Sequence, residues 1–334
     1  MHNSNNILDH IGNTPLLRLH GVSAQTGCEI YAKAEFMNPA GSIKDRTALG
    51  LVRDAKERGQ LNAGGTLVEG TAGNTGIGLA LVGHALGYKV VVVMPETQSQ
   101  EKIDTLKANG VELHLVAAQP YSHPDNFIHI AQRLAKELNQ SRAEGALWMN
   151  QFDNLANRAI HARTTGEEIW QQTEGKVDAF ICSVGTGGTL AGVGDCLKRH
   201  NPNVVIALAD PMGACLYHYY KHGELRAEGD SITEGIGQIR ITANLHNALI
   251  DEAFMIPDAE AIPYLHQLVH EQGLCLGGSS AINIAGAVRL AKKLGRGKTI
   301  ITLLGDHGSR YQQRLYNRDF FRTTEHSRCR LALN

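Results

Sequence analysis

Apolar runs that alternate with helix-like stretches constrain the fold of this 334-residue chain most strongly. The run "KVVVVMP" at 89–95 has no polar residue from Val90 to Met94, so both faces of that strand must be buried. Strands buried on both faces that alternate with helices form parallel sheets covered by helices, and the sequence therefore predicts an α/β fold. Further strands are predicted at 65–70, 111–116, 146–152, 179–184, 204–211 and 299–306.

Two sets of these strands, one on each side of about residue 150, predict two α/β lobes. A helix is expected from about Asn74 to Leu86, and another follows the strand at 89–95, capped by Thr97 and ended by Gly110. The tail from residue 317 onward is polar and basic, and is predicted to be a loosely held surface segment.

Composition excludes several classes of protein. With 32 basic and 33 acidic residues and only 5% aromatic residues, nothing indicates a nucleic-acid surface. The longest apolar runs are too short for a membrane span, and the first residues lack the pattern of a signal peptide. None of the six cysteines forms a C-x-x-C pair, which favours reduced thiols and a cytoplasmic protein. The sixteen histidines show no H-E-x-x-H spacing, so no metal site is predicted.

Two glycine-rich loops, "TAGNTG" at 71–76 and "VGTGGTLAG" at 184–192, follow predicted strands and precede helices. Helix N-termini of this kind bind anions through free N–H groups, although glycine is also the ordinary residue of tight turns. Neither loop matches a nucleotide fingerprint, so a nicotinamide-dependent dehydrogenase has only weak support. Two such loops instead favour a cofactor phosphate at one and a substrate carboxylate at the other.

Lys44 lies in the first turn of a predicted helix that Ser42 can cap. The helix dipole disfavours a cation there unless the amine is neutral or bonded. Taken alone, this stretch favours an ordinary surface lysine. A lysine that binds a carbonyl covalently does need a lowered pKa, which a helix N-terminus helps to provide.

The chain resembles the cysteine synthase family of pyridoxal-phosphate (PLP) enzymes of fold type II. Matching segments occur in the family's order at 11–19, 32–46, 71–80, 150–161, 164–170, 184–192, 235–237 and 277–281. The resemblance implies two lobes, each a mostly parallel sheet with flanking helices. A smaller mobile lobe, 46–149, would hold the substrate carboxylate, and a larger lobe, 1–45 plus 150–334, would bind PLP.

The resemblance also implies site residues. Lys44 would bind PLP covalently and act as the catalytic base. Asn74 would bond the 3′-oxygen of PLP, and Ser279 would face the pyridine nitrogen. The PLP phosphate would be held by Gly185, Thr186, Gly187, Gly188 and Thr189. The substrate carboxylate would be held by Thr71, Ala72, Gly73, Asn74, Thr75 and Gln151.

The family chemistry implied is β-elimination or β-replacement at the β-carbon of O-acetyl-L-serine or L-cysteine. The chain would take a small amino acid and sulfide or a thiol, in a homodimer, and would either make cysteine or release sulfide from it. The alternative is a catalytically weak homologue that binds serine acetyltransferase. Retention of Lys44, Asn74 and Ser279 argues against that alternative.

Two departures from the family pattern leave the direction of the reaction open. Ala72 stands where the common family loop has serine, and "NLANR" replaces the family's "NPANP" at 154–158. Asp230 lies shortly before the "GIG" segment, in a region that resembles L-cysteine desulfhydrases. Asp230 is either a catalytic carboxylate that activates water or a thiol, or a solvated charge beside a turn.

Overall fold

The computed structural model describes residues 6–322. Within them, the strands are β1 (Leu16–Arg18), β2 (Glu29–Ala34), β3 (Thr66–Gly70), β4 (Lys89–Pro95), β5 (Glu112–Val116), β6 (Ala146–Trp148), β7 (Ala179–Cys182), β8 (Val205–Pro211), β9 (Glu252–Ile256) and β10 (Thr299–Leu304).

The helices of the same part of the chain are α1 (His20–Thr26), α2 (Lys44–Glu57), α3 (Asn74–Ala85), α4 (Gln100–Ala108), α5 (Phe127–Ser141), α6 (Ala156–His161), α7 (Glu167–Gln172), α8 (Gly188–His200), α9 (Leu216–His222), α10 (Asp258–Gln272) and α11 (Gly278–Leu294). A π-helical turn, Ala162–Gly166, joins α6 to α7. No helix among the described residues is both long and apolar enough to cross a membrane.

The strands form two sheets. The larger sheet has the order β1-β2-β10-β7-β8-β9, and only β1 runs antiparallel to its neighbour. The smaller sheet has the order β5-β4-β3-β6 and is entirely parallel. Both sheets are covered on each face by buried apolar clusters. The predicted α/β fold with two mostly parallel sheets is therefore confirmed.

The smaller sheet takes its strands from residues 66–148, while the larger sheet uses chain from both before and after that range. The boundary expected between residues 45 and 46 falls inside α2, so this helix connects the two parts without a break. The extents of the lobes and the mobility of 46–149 stay predictions.

Most predicted elements are confirmed, with local differences. The strand at 89–95 has the predicted bounds, but α4 begins at Gln100 after Ser99, so Thr97 is not its cap. The sequence analysis missed β1, β2 and β9, which are short or partly exposed. The tail is not wholly loose, since Phe321 is buried against the larger sheet's core. Residues 323–334, including Cys329, lie outside the described residues.

A buried ion cluster fastens α2 to the larger sheet. Arg46 on α2 donates two hydrogen bonds of 2.8 Å to Glu35, which follows β2, and is itself only 1% exposed. It donates two more, of 2.5 and 2.7 Å, to Glu168 on α7. Lys33 on β2 pairs with the same Glu168 at 2.6 Å. The cluster thus joins β2, α2 and α7.

At Arg46 and Glu35, charge pairing outweighs the effect of burial on the pKa. Burial by itself would lower the pKa of Arg46, but the carboxylates of Glu35 and Glu168 raise it. Burial would likewise raise the pKa of Glu35, yet the Arg46 charge holds it below its ordinary value. Arg46 and Glu35 are therefore ionised at neutral pH, and each depends on its partner.

Replacing Arg46 by Met should lower the free energy of unfolding by about 3–5 kcal/mol, because it leaves the Glu35 carboxylate buried without a counter-charge. Urea unfolding of the purified variant measures this loss. Arg58→Met is the matched control: Arg58 directly follows α2 and pairs with Asp54 at the surface. That change should shift stability by at most about 1 kcal/mol. Equal losses in the two variants would contradict the role of the cluster.

Candidate active site

A cavity of about 340 Å³ lies where loops from both sheets meet. These loops follow the carboxyl ends of β3, β7 and β10, the usual ligand position in parallel sheets. A smaller cavity shares Lys44, Gly185, Thr186 and Ser279 with it. Of the predicted site residues, the larger cavity is lined by Lys44, Thr71, Ala72, Gly73, Asn74, Thr75, Gln151, Gly185, Thr186 and Ser279. Gly187 and Thr189 line the smaller one.

Lys44 is the first residue of α2 and faces both cavities. The Ser42 hydroxyl accepts a hydrogen bond from the Lys44 backbone N–H at 3.2 Å, and the N–H of Ile43 donates to the carbonyl of Gly305. Burial lowers the pKa of the Lys44 amine, and the nearby Asp306 carboxylate opposes that shift only in part. A buried amine with a lowered pKa can serve as a base or a nucleophile.

The loop 71–75 closes onto the N-terminus of α3. The Thr71 hydroxyl accepts a hydrogen bond of 3.0 Å from the N–H of Gly73, and the Thr75 hydroxyl donates one of 2.5 Å to Gln151. Gln151 is held in turn, since its side-chain amide donates to the carbonyl of Gly70 at 3.1 Å. The first N–H groups of α3 have no partner within the helix, so this loop can bind a small anion.

Loop 185–189 leads into α8, and its glycines are packed tightly against neighbouring side chains. A Cβ added at Gly187, where φ is +86°, would lie 2.4 Å from Leu245, and one at Gly188 would lie 2.4 Å from Asn157. The Thr186 hydroxyl oxygen accepts hydrogen bonds from Asn157 at 2.8 Å and from the N–H of Gly188 at 3.4 Å. Its own hydrogen is therefore free to donate to an anion in the smaller cavity. Gly188 itself lines neither cavity.

Asn157 was not among the predicted site residues. It is fully buried, and its amide donates to the carbonyl of Gln151 at 2.9 Å as well as to Thr186. Its side-chain oxygen accepts from Thr47 on α2 at 3.1 Å. One side chain thus ties together both anion loops and the helix of Lys44. Its only signal in the sequence was its place in the matching segment 150–161.

Asp306, which follows β10, was also missed. Its carboxylate accepts hydrogen bonds of 2.6 Å from both the Asn74 amide and the Tyr311 hydroxyl. Arg310 donates to the oxygen of the same Asn74 amide at 2.6 Å. Because one end of the amide meets a carboxylate and the other a guanidinium, the amide has one orientation, with its N–H₂ towards Asp306. The sequence signal that could have identified Asp306 was its place as an acidic residue just after a buried strand.

Asp230 does not reach the cavity. The structure places it in an exposed loop whose backbone lies against Gly213, and it is not among the cavity-lining residues. The acidic residue of this segment that lines the cavity is Glu234, which pairs with Lys102 at 2.7 Å and with Arg314. The geometry therefore favours the solvated-charge interpretation of Asp230.

The arrangement brings a buried amine and two helix N-termini with free N–H groups to two adjoining cavities, which suits an enzyme that binds two anionic groups. The family model described as "Pyridoxal-phosphate dependent enzyme" matches residues 7–306. Cysteine synthase 1 of Neurospora crassa is 52% identical, over 92% of this chain and 82% of that protein. Cysteine synthase 1 of Emericella nidulans is 51% identical, over 95% and 85%.

Two solved structures have the same fold. An O-ureido-L-serine synthase superposes with a TM-score of 0.83 and 33% identity, covering 96% of each chain. A hydrogen sulfide-producing enzyme from Fusobacterium nucleatum superposes with a TM-score of 0.81 and 32% identity, covering 92% of this chain and 99% of that one. The chain belongs to the cysteine synthase family of pyridoxal-phosphate-dependent enzymes.

The cofactor of this family is PLP, and the donors present fit it. The smaller cavity offers the N-terminus of α8 and the free hydroxyl hydrogen of Thr186, which suit a phosphate. Ser279, the second residue of α11, and Lys44 line both cavities, so an amine and a neutral hydroxyl flank the same space. Position 279 therefore offers the cavities a neutral hydroxyl and no charged group.

Glu69, two residues before the loop 71–75, is a buried titratable group. It is the fourth of the five residues of β3, accepts a hydrogen bond of 3.3 Å from the N–H of Gln151, and is 1% exposed. Burial raises its pKa from 4.5 to about 8. In the folded chain it keeps its proton at pH 7, whereas the unfolded chain releases it.

Glu69 should therefore make the protein less stable as the pH rises from about 4.5 to about 8, since the folded state binds the extra proton over this range. Glu69→Gln removes that dependence. The unfolding free energy of the variant minus that of the wild type should increase through this range and level off above about pH 8, as denaturation at several pH values would measure. Glu57→Gln, at an exposed position of α2, should show no such trend. A difference that does not vary with pH contradicts the buried-acid assignment.

Proposed function

We propose that the chain uses PLP to catalyse β-elimination or β-replacement at the β-carbon of O-acetyl-L-serine or L-cysteine. The observation that carries this proposal is the meeting of Lys44 with two anion-binding loops in one cavity. One loop suits the cofactor phosphate and the other the substrate carboxylate. The names of the relatives, cysteine synthases and a hydrogen sulfide-producing enzyme, support the substrate class.

In the proposed site, Lys44 binds the cofactor, and Thr186, Thr189 and the start of α8 hold its phosphate. Asn74, oriented by Asp306 and Arg310, bonds its 3′-oxygen, and Ser279 faces its pyridine nitrogen. PLP, when bound, supplies an electron sink for the charge that develops at the substrate's α-carbon. A serine leaves the pyridine nitrogen without a charged partner, which limits that sink and suits removal of a good leaving group.

Lys44 also moves the α-proton in this proposal. Because burial lowers its pKa, a larger share of the amine is neutral near pH 7 and can accept a proton at Nζ. The loop 71–75 and Gln151 hold the α-carboxylate, which fixes the α-carbon relative to that amine. Asp306 faces Lys44 with a negative charge and stabilises the protonated form that results.

The direction of the reaction, the assembly and the location belong to the same proposal. The chain either makes cysteine from O-acetylserine and sulfide or releases sulfide from cysteine, as a homodimer. The five cysteines within the described residues are free thiols, four of them buried, which supports a cytoplasmic, reducing location. A catalytically weak partner of serine acetyltransferase is not favoured, because the cavity retains the amine and both loops.

The test is to measure cysteine formation from O-acetylserine and sulfide, and sulfide release from cysteine, for wild type and Lys44→Ala. Loss of this base should lower turnover in the active direction by at least about 100-fold. Lys56→Ala, near the exposed end of α2, is the control and should retain activity. Absence of activity in both assays with the PLP-loaded wild type, or full activity of Lys44→Ala, would overturn the proposal.

Ala72→Ser tests the substrate loop. Ala72 lines the cavity between Thr71 and Gly73, and a serine there adds one donor for the carboxylate. One hydrogen bond to a charged group is worth about 1.5 kcal/mol, so KM for the amino acid should fall by roughly tenfold with little change in kcat. Ala108→Ser, exposed at the end of α4, should change neither. A fall in kcat without a change in KM argues against carboxylate binding by this loop.

A further inference from the structure

A thiol, an imidazole and a carboxylate meet at the junction of α7 and α8, outside the residues that line the two cavities. Cys196 and His200 are four residues apart and so share one face of α8. Glu167 is the first residue of α7, directly after the π-helical turn. The three ligand atoms lie within 4.8 Å of one another. These are the ligand types that zinc takes in proteins.

The side chains already point at one another. The Cys196 thiol donates to one Glu167 oxygen at 3.2 Å, and His200 Nε2 lies 2.9 Å from the other. The His200 ring stacks on Trp170 with the centroids 4.7 Å apart and the planes 7° apart. This stacking fixes the direction of Nε2, and a fixed imidazole loses less freedom when it binds a metal.

Access and charge also suit a divalent cation. The Cys196 thiol is buried, whereas the Glu167 and His200 side chains are each 34% exposed. An ion can therefore enter from solvent and keep a water ligand. A thiolate and a carboxylate together balance a charge of +2. The Arg199 guanidinium lies 3.8 Å from Glu167, but its side chain is 65% exposed and can turn into solvent when a metal binds.

We propose that Glu167, Cys196 and His200 bind one Zn²⁺ ion per chain, with water as the fourth ligand. On binding, a bond forms between Cys196 Sγ and the metal while the thiol proton passes to solvent, and neutral His200 binds through Nε2. No group changes oxidation state. The bound ion joins α7 to α8 and therefore stabilises the folded chain. This site is independent of the proposed β-carbon chemistry.

The experiment uses the PLP-loaded protein, freed of metal with a chelator and then dialysed against Zn²⁺. Wild type should retain one zinc ion per chain. The variants Cys196→Ser and His200→Gln should bind zinc at least about 10-fold more weakly, as expected for disturbed metal sites. Cys275→Ser and His222→Gln, at partly exposed and exposed positions, are matched controls and should bind as wild type does. X-ray absorption should show one sulfur at about 2.3 Å and nitrogen or oxygen at about 2.0–2.2 Å.

Both site substitutions keep a polar atom beside Glu167. Because His200 is largely at the surface, His200→Gln should fold, and its zinc affinity tests the site even if Cys196→Ser does not fold. Zinc should also raise the thermal midpoint of wild type and not of His200→Gln. The proposal is overturned if wild type retains no zinc, if the site variants retain as much as the controls, or if the bound zinc has no sulfur ligand.

Discussion

The four hydrogen bonds from Arg46 to the buried Glu35 and the half-buried Glu168 hold the start of the helix that carries Lys44. Arg46 lies two residues after Lys44 on the same helix, so the contacts that fix the guanidinium also fix where α2 begins. Glu35 comes from the larger sheet and Glu168 from α7, and neither can move without exposing an unpaired charge to an apolar interior. The backbone of Lys44 is therefore held by its neighbours in the helix, and its side chain faces the two cavities.

Polar side chains, more than apolar packing, connect the parts of the active site. Asn157 links the two anion loops to α2, and Asp306 and Arg310 orient Asn74 from opposite ends of its amide. Asn157, Asp306 and Arg310 are buried, and each forms hydrogen bonds to other residues of the site. Such a network specifies one arrangement, because a shift of one loop would leave a buried donor or acceptor without a partner.

The sequence predicted the sheets well because their strands are continuous apolar runs, and it predicted the loops because glycines mark the turns into α3 and α8. It could not predict β1, β2 and β9, since these strands are only three to six residues long and carry little periodic signal. Asn157 and Asp306 were not predicted as site residues, because their roles depend on residues far away along the chain, such as Thr47 and Asn74. Of the two interpretations left open for Asp230, the structure favours the solvated charge, because Asp230 is not among the cavity-lining residues, while Glu234, four residues later, is.

The continuity of α2 across the expected lobe boundary has a mechanical consequence. Lys44 lies at the start of this helix, where Arg46 fastens it to the larger sheet, whereas the far end of the helix packs in the core of the smaller sheet. A rotation of the smaller sheet about the start of α2 would carry the loop 71–75 through an arc and leave the amine almost still. In the proposed chemistry, such a rotation would move a carboxylate held by this loop towards a lysine that keeps its place.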